Sequence, residues 1–60
     1  MEIKTIEEAI KYLEEKAGIN VMERNKAKWD VWDDDFDDVI NTDEDLIDYA
    51  NEQKEAIEVR

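Results

Sequence analysis

Between Trp29 and Gln53 the chain carries eleven acidic side chains and no basic one. Asp30, Asp33, Asp34, Asp35, Asp37, Asp38, Asp43, Glu44, Asp45, Asp48 and Glu52 make up this block. Threaded through it are Trp29, Val31, Trp32, Phe36, Val39, Ile40, Leu46, Ile47 and Tyr49. A fold that buries most of these apolar side chains must leave carboxylates one or two residues away pointing to water. Disordered acidic tails seldom interleave so many large apolar residues. The block therefore predicts structured elements with one buried face and one strongly negative face. Crowding like charges opposes folding, so a surface kept for recognition accounts for the block better than solubility alone.

The rest of the chain is neutral. Residues 1–28 hold six acids and six bases, and residues 54–60 hold two of each, so the net charge of -11 belongs to the block. A polyanion of this kind is repelled by nucleic acid and by anionic membrane surfaces, so direct binding to either is not expected. No stretch approaches the ~20 apolar residues of a membrane span, and no signal-peptide core follows the start, so the expected location is the cytoplasm. With 60 residues the chain is expected to form one small acidic domain, residues 1–60. Domains of this size bury only about 60% of their unfolded surface. The chain has no cysteine, histidine or proline. Disulfide staples and thiolate chemistry are thereby excluded, together with the commonest general base.

Two helices are predicted from periodicity and capping. Thr5 followed by Glu8 has the spacing of a capping box, and Ile6, Ala9, Ile10, Leu13 and Ala17 then fall on one face. Gly18, the only glycine, fits the left-handed position after the C-cap, with Ile19 folding back onto Leu13. Near the other end, Asn41 or Thr42 can cap a helix from about Asp43 to about Glu58. Asp43, Glu44 and Asp45 sit beside the positive end of its dipole, and Leu46, Ile47, Ala50 and Ile57 form its apolar stripe.

The middle of the chain reads as a hairpin. Residues 19–24 and 27–32 flank Asn25-Lys26, with Asn25 able to take a left-handed conformation. Asp38-Val39-Ile40 is a candidate third strand. The expected fold is a small α+β domain of order α-β-β-α. The alternative is a three-helix bundle, in which Met22, Trp29, Trp32, Phe36 and Val39 share helical spacing; the runs Asp33-Asp34-Asp35 and Asp37-Asp38 are poor helix interiors and weigh against it.

Catalysis has little to work with: there is no Ser-His or Cys-His pair and no glycine-rich phosphate loop, so the chain is expected not to be an enzyme and to use no cofactor. Residues 33–44 resemble the twelve-residue calcium loop of EF-hand proteins. The resemblance implies Asp33, Asp35, Asp37, the Val39 carbonyl, Asn41 and Glu44 as ligands. Asp38, however, stands where that loop requires glycine for its sharp turn. The leading expectation is accordingly no metal site, with an EF-hand-like calcium module as the alternative.

The acids make better sense as a surface. Duplex DNA carries one negative charge per ~1.7 Å of axis, which proteins meet with lysine and arginine. Asp45, Asp48 and Glu52, spaced i, i+3 and i+7 on one helix, place carboxylates about 5–6 Å apart between neighbours. Asp30, Asp33, Asp34, Asp35, Asp37 and Asp38 extend the row. In size, charge and clustering the chain resembles the small acidic DNA mimics of bacteriophages and mobile elements, which inhibit restriction enzymes, repair glycosylases or CRISPR nucleases. The resemblance implies a non-enzymatic inhibitor of a basic nucleic-acid-binding protein such as a nuclease. An antitoxin-like or dimerising interaction domain is the alternative, and either a monomer or a homodimer fits. One of Trp29 and Trp32 is needed for the core of so small a domain. The other, taken as Trp32, joins the partner-binding set, since tryptophan is favoured at interface hot spots.

Overall fold

Thr5 starts the first helix, as its side chain predicts. Its hydroxyl accepts from the Glu8 amide at 3.2 Å and donates to the Glu8 carboxylate at 3.1 Å. The computed structural model describes residues 2–59. Helix α1 spans Ile6–Glu15 and buries Ala9 and Leu13 completely. It closes as the glycine predicts: Gly18 takes a φ of +69°, and the Ile19 amide donates back to the Leu13 carbonyl at 2.8 Å. This reversal delivers Ile19 to the core and starts the sheet.

Three antiparallel strands follow, β1 (Asn20–Asn25), β2 (Lys28–Trp32) and β3 (Asp37–Ile40), in the spatial order β1-β2-β3. Helix α2 (Asp43–Glu58) completes an α-β-β-β-α domain, so the third strand is present and the three-helix bundle is not the fold. Thr42 caps α2, accepting from the Asp45 amide at 3.0 Å. The hairpin differs from expectation at its turn. Ala27, not Asn25, holds the left-handed backbone (φ +59°), and the β1-β2 register shifts between Glu23 and Asn25. Asn25 is instead the last residue of β1, paired with Lys28, which leaves Lys26 and Ala27 to make the turn.

Both helices pack on the same side of the sheet and on each other, α1 against β1 and α2 against β2 and β3. The core between the layers holds Ile3, Ala9, Leu13, Ile19, Trp29, Val31, Ile40, Leu46 and Ala50. Ile57, expected in the apolar stripe of α2, is 38% exposed. The buried core residues of this helix are Leu46 and Ala50, so its last turn adds nothing to the core. The segment before α1 is tied down by Asn51, whose side chain accepts from the Ile3 amide at 2.9 Å and donates to the Ile3 carbonyl at 3.0 Å. At the far end of α2, Glu58 accepts from Lys54 at 3.0 Å and from the Tyr12 hydroxyl at 3.1 Å. The Lys54 bond first, then that of Tyr12, holds the Glu58 carboxyl below the usual carboxylate range.

Candidate interaction surface

The fold divides the acidic block between two neighbouring surfaces and a loop. The division follows from the two-residue period of a strand. On β2, Trp29 and Val31 face the helices and are buried, so Asp30 and Trp32 face the opposite way. The register sets their neighbours: Asp30 lies between Met22 of β1 and Val39 of β3, and Trp32 lies between Asn20 and Asp37. This helix-free face forms a shallow depression lined by Met22, Arg24, Asp30, Trp32, Asp37 and Val39.

The second surface is a groove between β3 and α2. Asp45, Asp48, Tyr49 and Glu52 line it from the helix, and Val39, Ile40 and Asn41 from the strand side. The three acids are all exposed, along one strip of a helix whose opposite side buries Leu46 and Ala50. Tyr49 marks where the block converges. Burial raises its hydroxyl pKa above that of a free phenol, and the charges of Asp33, Asp38 and Glu52 push it further the same way. The β2-β3 loop, β3 and α2 thus bring their carboxylates around one phenol. Val39 lines both the groove and the open face, so the two surfaces are continuous.

Not every acid is free to meet a partner. Asp33 caps the β2-β3 loop, accepting from the Asp35 amide at 2.7 Å and the Phe36 amide at 3.0 Å. This is the local turn that aspartate side chains favour. Asp43, absent from the expected surface set, accepts from the Trp29 indole at 2.7 Å and so satisfies the polar edge of a core side chain. Asp38 accepts from its neighbour's amide, that of Val39, at 2.8 Å. Asp30 lies 3.8 Å from Arg24, the one ion pair of the block among the described residues. Asp34, Asp35, Asp37, Glu44, Asp45, Asp48 and Glu52 accept no side-chain or backbone hydrogen bond among the described residues and are ready to receive one.

Residues 33–44 do not take the shape of a calcium loop. Residues 37–40 pair with β2 as strand β3, so Asp37 and Val39 face away from Asp38, and Glu44 is already in α2. Asp38 has no positive φ, the conformation that the loop's glycine supplies. Among the described residues no group of three or more acids is placed to hold a metal ion. No helix among them is long and apolar enough to cross a membrane.

Of the residues that line the two surfaces, Met22, Arg24, Val39, Ile40, Asn41 and Tyr49 were absent from the expected partner-binding set. The parity of Trp29 and Trp32 was the available signal: two residues three apart on a strand point to opposite faces, so burying one turns the other outward. No protein-family model, no curated protein and no solved structure matches the chain.

Proposed function

We propose that the chain is a non-enzymatic inhibitor that occupies the basic surface with which a partner protein, such as a nuclease, holds nucleic acid. It presents carboxylates where the nucleic acid presents phosphates, as the DNA mimics of phages and mobile elements do, and acts in the cytoplasm. The observation that carries this reading is the set of carboxylates on rigid elements that have no partner among the described residues. Asp45, Asp48 and Glu52 have fixed mutual distances on α2, so a partner need not order them at an entropic cost. Charge-assisted hydrogen bonds to such a row are worth about 1.5–3 kcal/mol each where water is excluded. Asp34 and Asp35 on the β2-β3 loop and Asp37 on the open face of the sheet add further exposed carboxylates.

Capture from a host lysate, at low and at moderate salt, tests the proposal. It should retain a nucleic-acid-binding protein, release it as salt rises, and lose it to added duplex DNA. The combined change Asp45→Asn, Asp48→Asn, Glu52→Gln should nearly abolish capture while leaving the helical circular dichroism intact. The same neutralisation at Glu7 or Glu14 of α1, in the charge-balanced part of the chain, should do little. If DNA and the protein occupy the partner together, or the triple variant binds like the parent, the mimicry reading is wrong.

A further inference from the structure

We infer that the helix-free face of the sheet is a seat for an arginine side chain of the basic partner, with Trp32 as its floor. The inference rests on the proposed function for the source of the arginine. Its chemistry rests on how the sheet places five side chains. Trp32 is half-buried on the side of the sheet away from the helices, where it lines the depression, and Asp37 is its cross-strand neighbour on β3. One row along, Asp30 stands between Met22, which is 60% exposed, and Val39. Directly opposed cross-strand side chains have Cβ atoms about 4.5–5.5 Å apart. An indole, two carboxylates and two aliphatic side chains therefore share one shallow depression.

Arginine matches each part of this set. Its planar guanidinium stacks on an aromatic face while its edge offers paired donors to a carboxylate, and its stem is apolar enough to lie on Met22 and Val39. Lysine, a compact and strongly hydrated point charge, meets the carboxylates without that stacking geometry. The resident cation does not fill the seat: Arg24 reaches Asp30 only at 3.8 Å with more than half its side chain in solvent, and Asp37 has no cation within ion-pair distance among the described residues. A second copy of the chain is the wrong occupant. Apposing two such faces would bring two Asp30 and two Asp37 side chains together, with only the two Arg24 side chains to offset them. Because Val39 belongs to both surfaces, one partner can grip the α2 groove and place an arginine on Trp32 at the same time.

The test is a nitrogen-15 chemical-shift titration with hexa-arginine and, separately, hexa-lysine at the same moderate salt. The Trp32 indole and the Met22 and Val39 amides should shift saturably with hexa-arginine, and hexa-lysine should bind at least about fivefold more weakly, in the range of a cation–π contact. The Trp29 indole, held by Asp43, should stay in place and report that the fold is intact. Trp32→Leu should erase the preference for arginine. Asp37→Asn, at an exposed position, should weaken hexa-arginine about threefold or more without touching the core, as expected on losing one charge-assisted contact. Equal shifts with both peptides, shifts centred on α2 instead of the sheet, or parental binding by both variants would overturn the seat. The peptides alone judge the seat; competition by DNA in the lysate capture judges the proposed function. A Trp32→Leu protein that still captures its partner at parental strength, displaceable by DNA, would sink the seat and leave the function standing.

Discussion

Asn51 is the residue whose removal best tests how this small domain is held together. Its side chain bonds both the amide and the carbonyl of Ile3, 48 residues away, and also donates to the Ile47 carbonyl at 3.1 Å. Asn51→Ala deletes the two long-range bonds. At a net ~0.5–1.5 kcal/mol each, the loss is about 1–3 kcal/mol. The whole domain has about 3–9 kcal/mol by the usual per-residue scale. A central loss of about 2 kcal/mol should lower the melting temperature by about 8–16 °C in a domain of this length. Ile3 should loosen with it, because among the described residues these two bonds are the ones that hold its backbone to α2. Asn51→Asp separates the two bonds: the carboxylate still accepts from the Ile3 amide but cannot donate to the carbonyl, so its melting point should fall between the other two. Thermal unfolding followed by circular dichroism, with hydrogen exchange at the Ile3 amide, measures both effects. If Asn51→Ala melts within about 2 °C of the parent and the Ile3 amide stays equally protected, the tether contributes nothing measurable and the reasoning fails.

Three further outcomes are expected. The melting temperature should rise from low to moderate salt as repulsion within the acidic block is screened over about 10 Å at 0.1 M; no rise would mean that the acids are spaced widely enough not to repel. Tyr49, titrated by its ring carbon shifts, should ionise above the free-phenol value, and the double change Asp38→Asn, Glu52→Gln should bring it down. Since the folded pKa is raised, the associated stability is present below pH ~10 and is lost as pH climbs through the Tyr49 titration. Ala27→Gly should raise the melting temperature by a few degrees: relief of about 1–2 kcal/mol of left-handed strain exceeds the extra freedom glycine gives the unfolded chain. Ala27→Val should lower it.

The parts of the fold legible in the sequence were those fixed by local chemistry. Thr5 and Thr42 each cap a helix through their own hydroxyl, Gly18 alone can take its φ without strain, and the alternation Trp29-Asp30-Val31 already describes a strand with one wet face. Features set by distant partners were not legible. Nothing near Ile3 announces that an asparagine 48 residues later will hold it, and nothing in the isolated α2 stripe shows that Ile57 overshoots the core. The candidate surface was legible in composition but not in layout. Eleven acids in sequence looked like one row, whereas β3 turns Asp37 and Asp38 to opposite faces and Asp43 is spent on the Trp29 indole. The turn illustrates a third limit. Asn25 has the side chain suited to positive φ, but the bulge in β1 moved that conformation two residues on, to Ala27.

Strand β3, one of the two edges of the sheet, also bears on how copies of this chain behave toward one another. It is an edge strand of four residues, and two adjacent positions are Asp37 and Asp38. Edge strands invite a neighbouring molecule to extend the sheet, and short length and charge are the usual defences. A second copy pairing here would have to lay its own carboxylates beside these, at about 1 kcal/mol per contact pair even in bulk water. The defence lasts only while the aspartates are ionised. As pH falls toward the isoelectric point of the sequence, about 4.1, the net negative charge disappears, and both the barred edge and the mutual repulsion of whole molecules fade together. Acidification should therefore turn a chain that repels its own copies into one whose sheets are free to grow, and clouding on descent through pH 4 would be the visible sign.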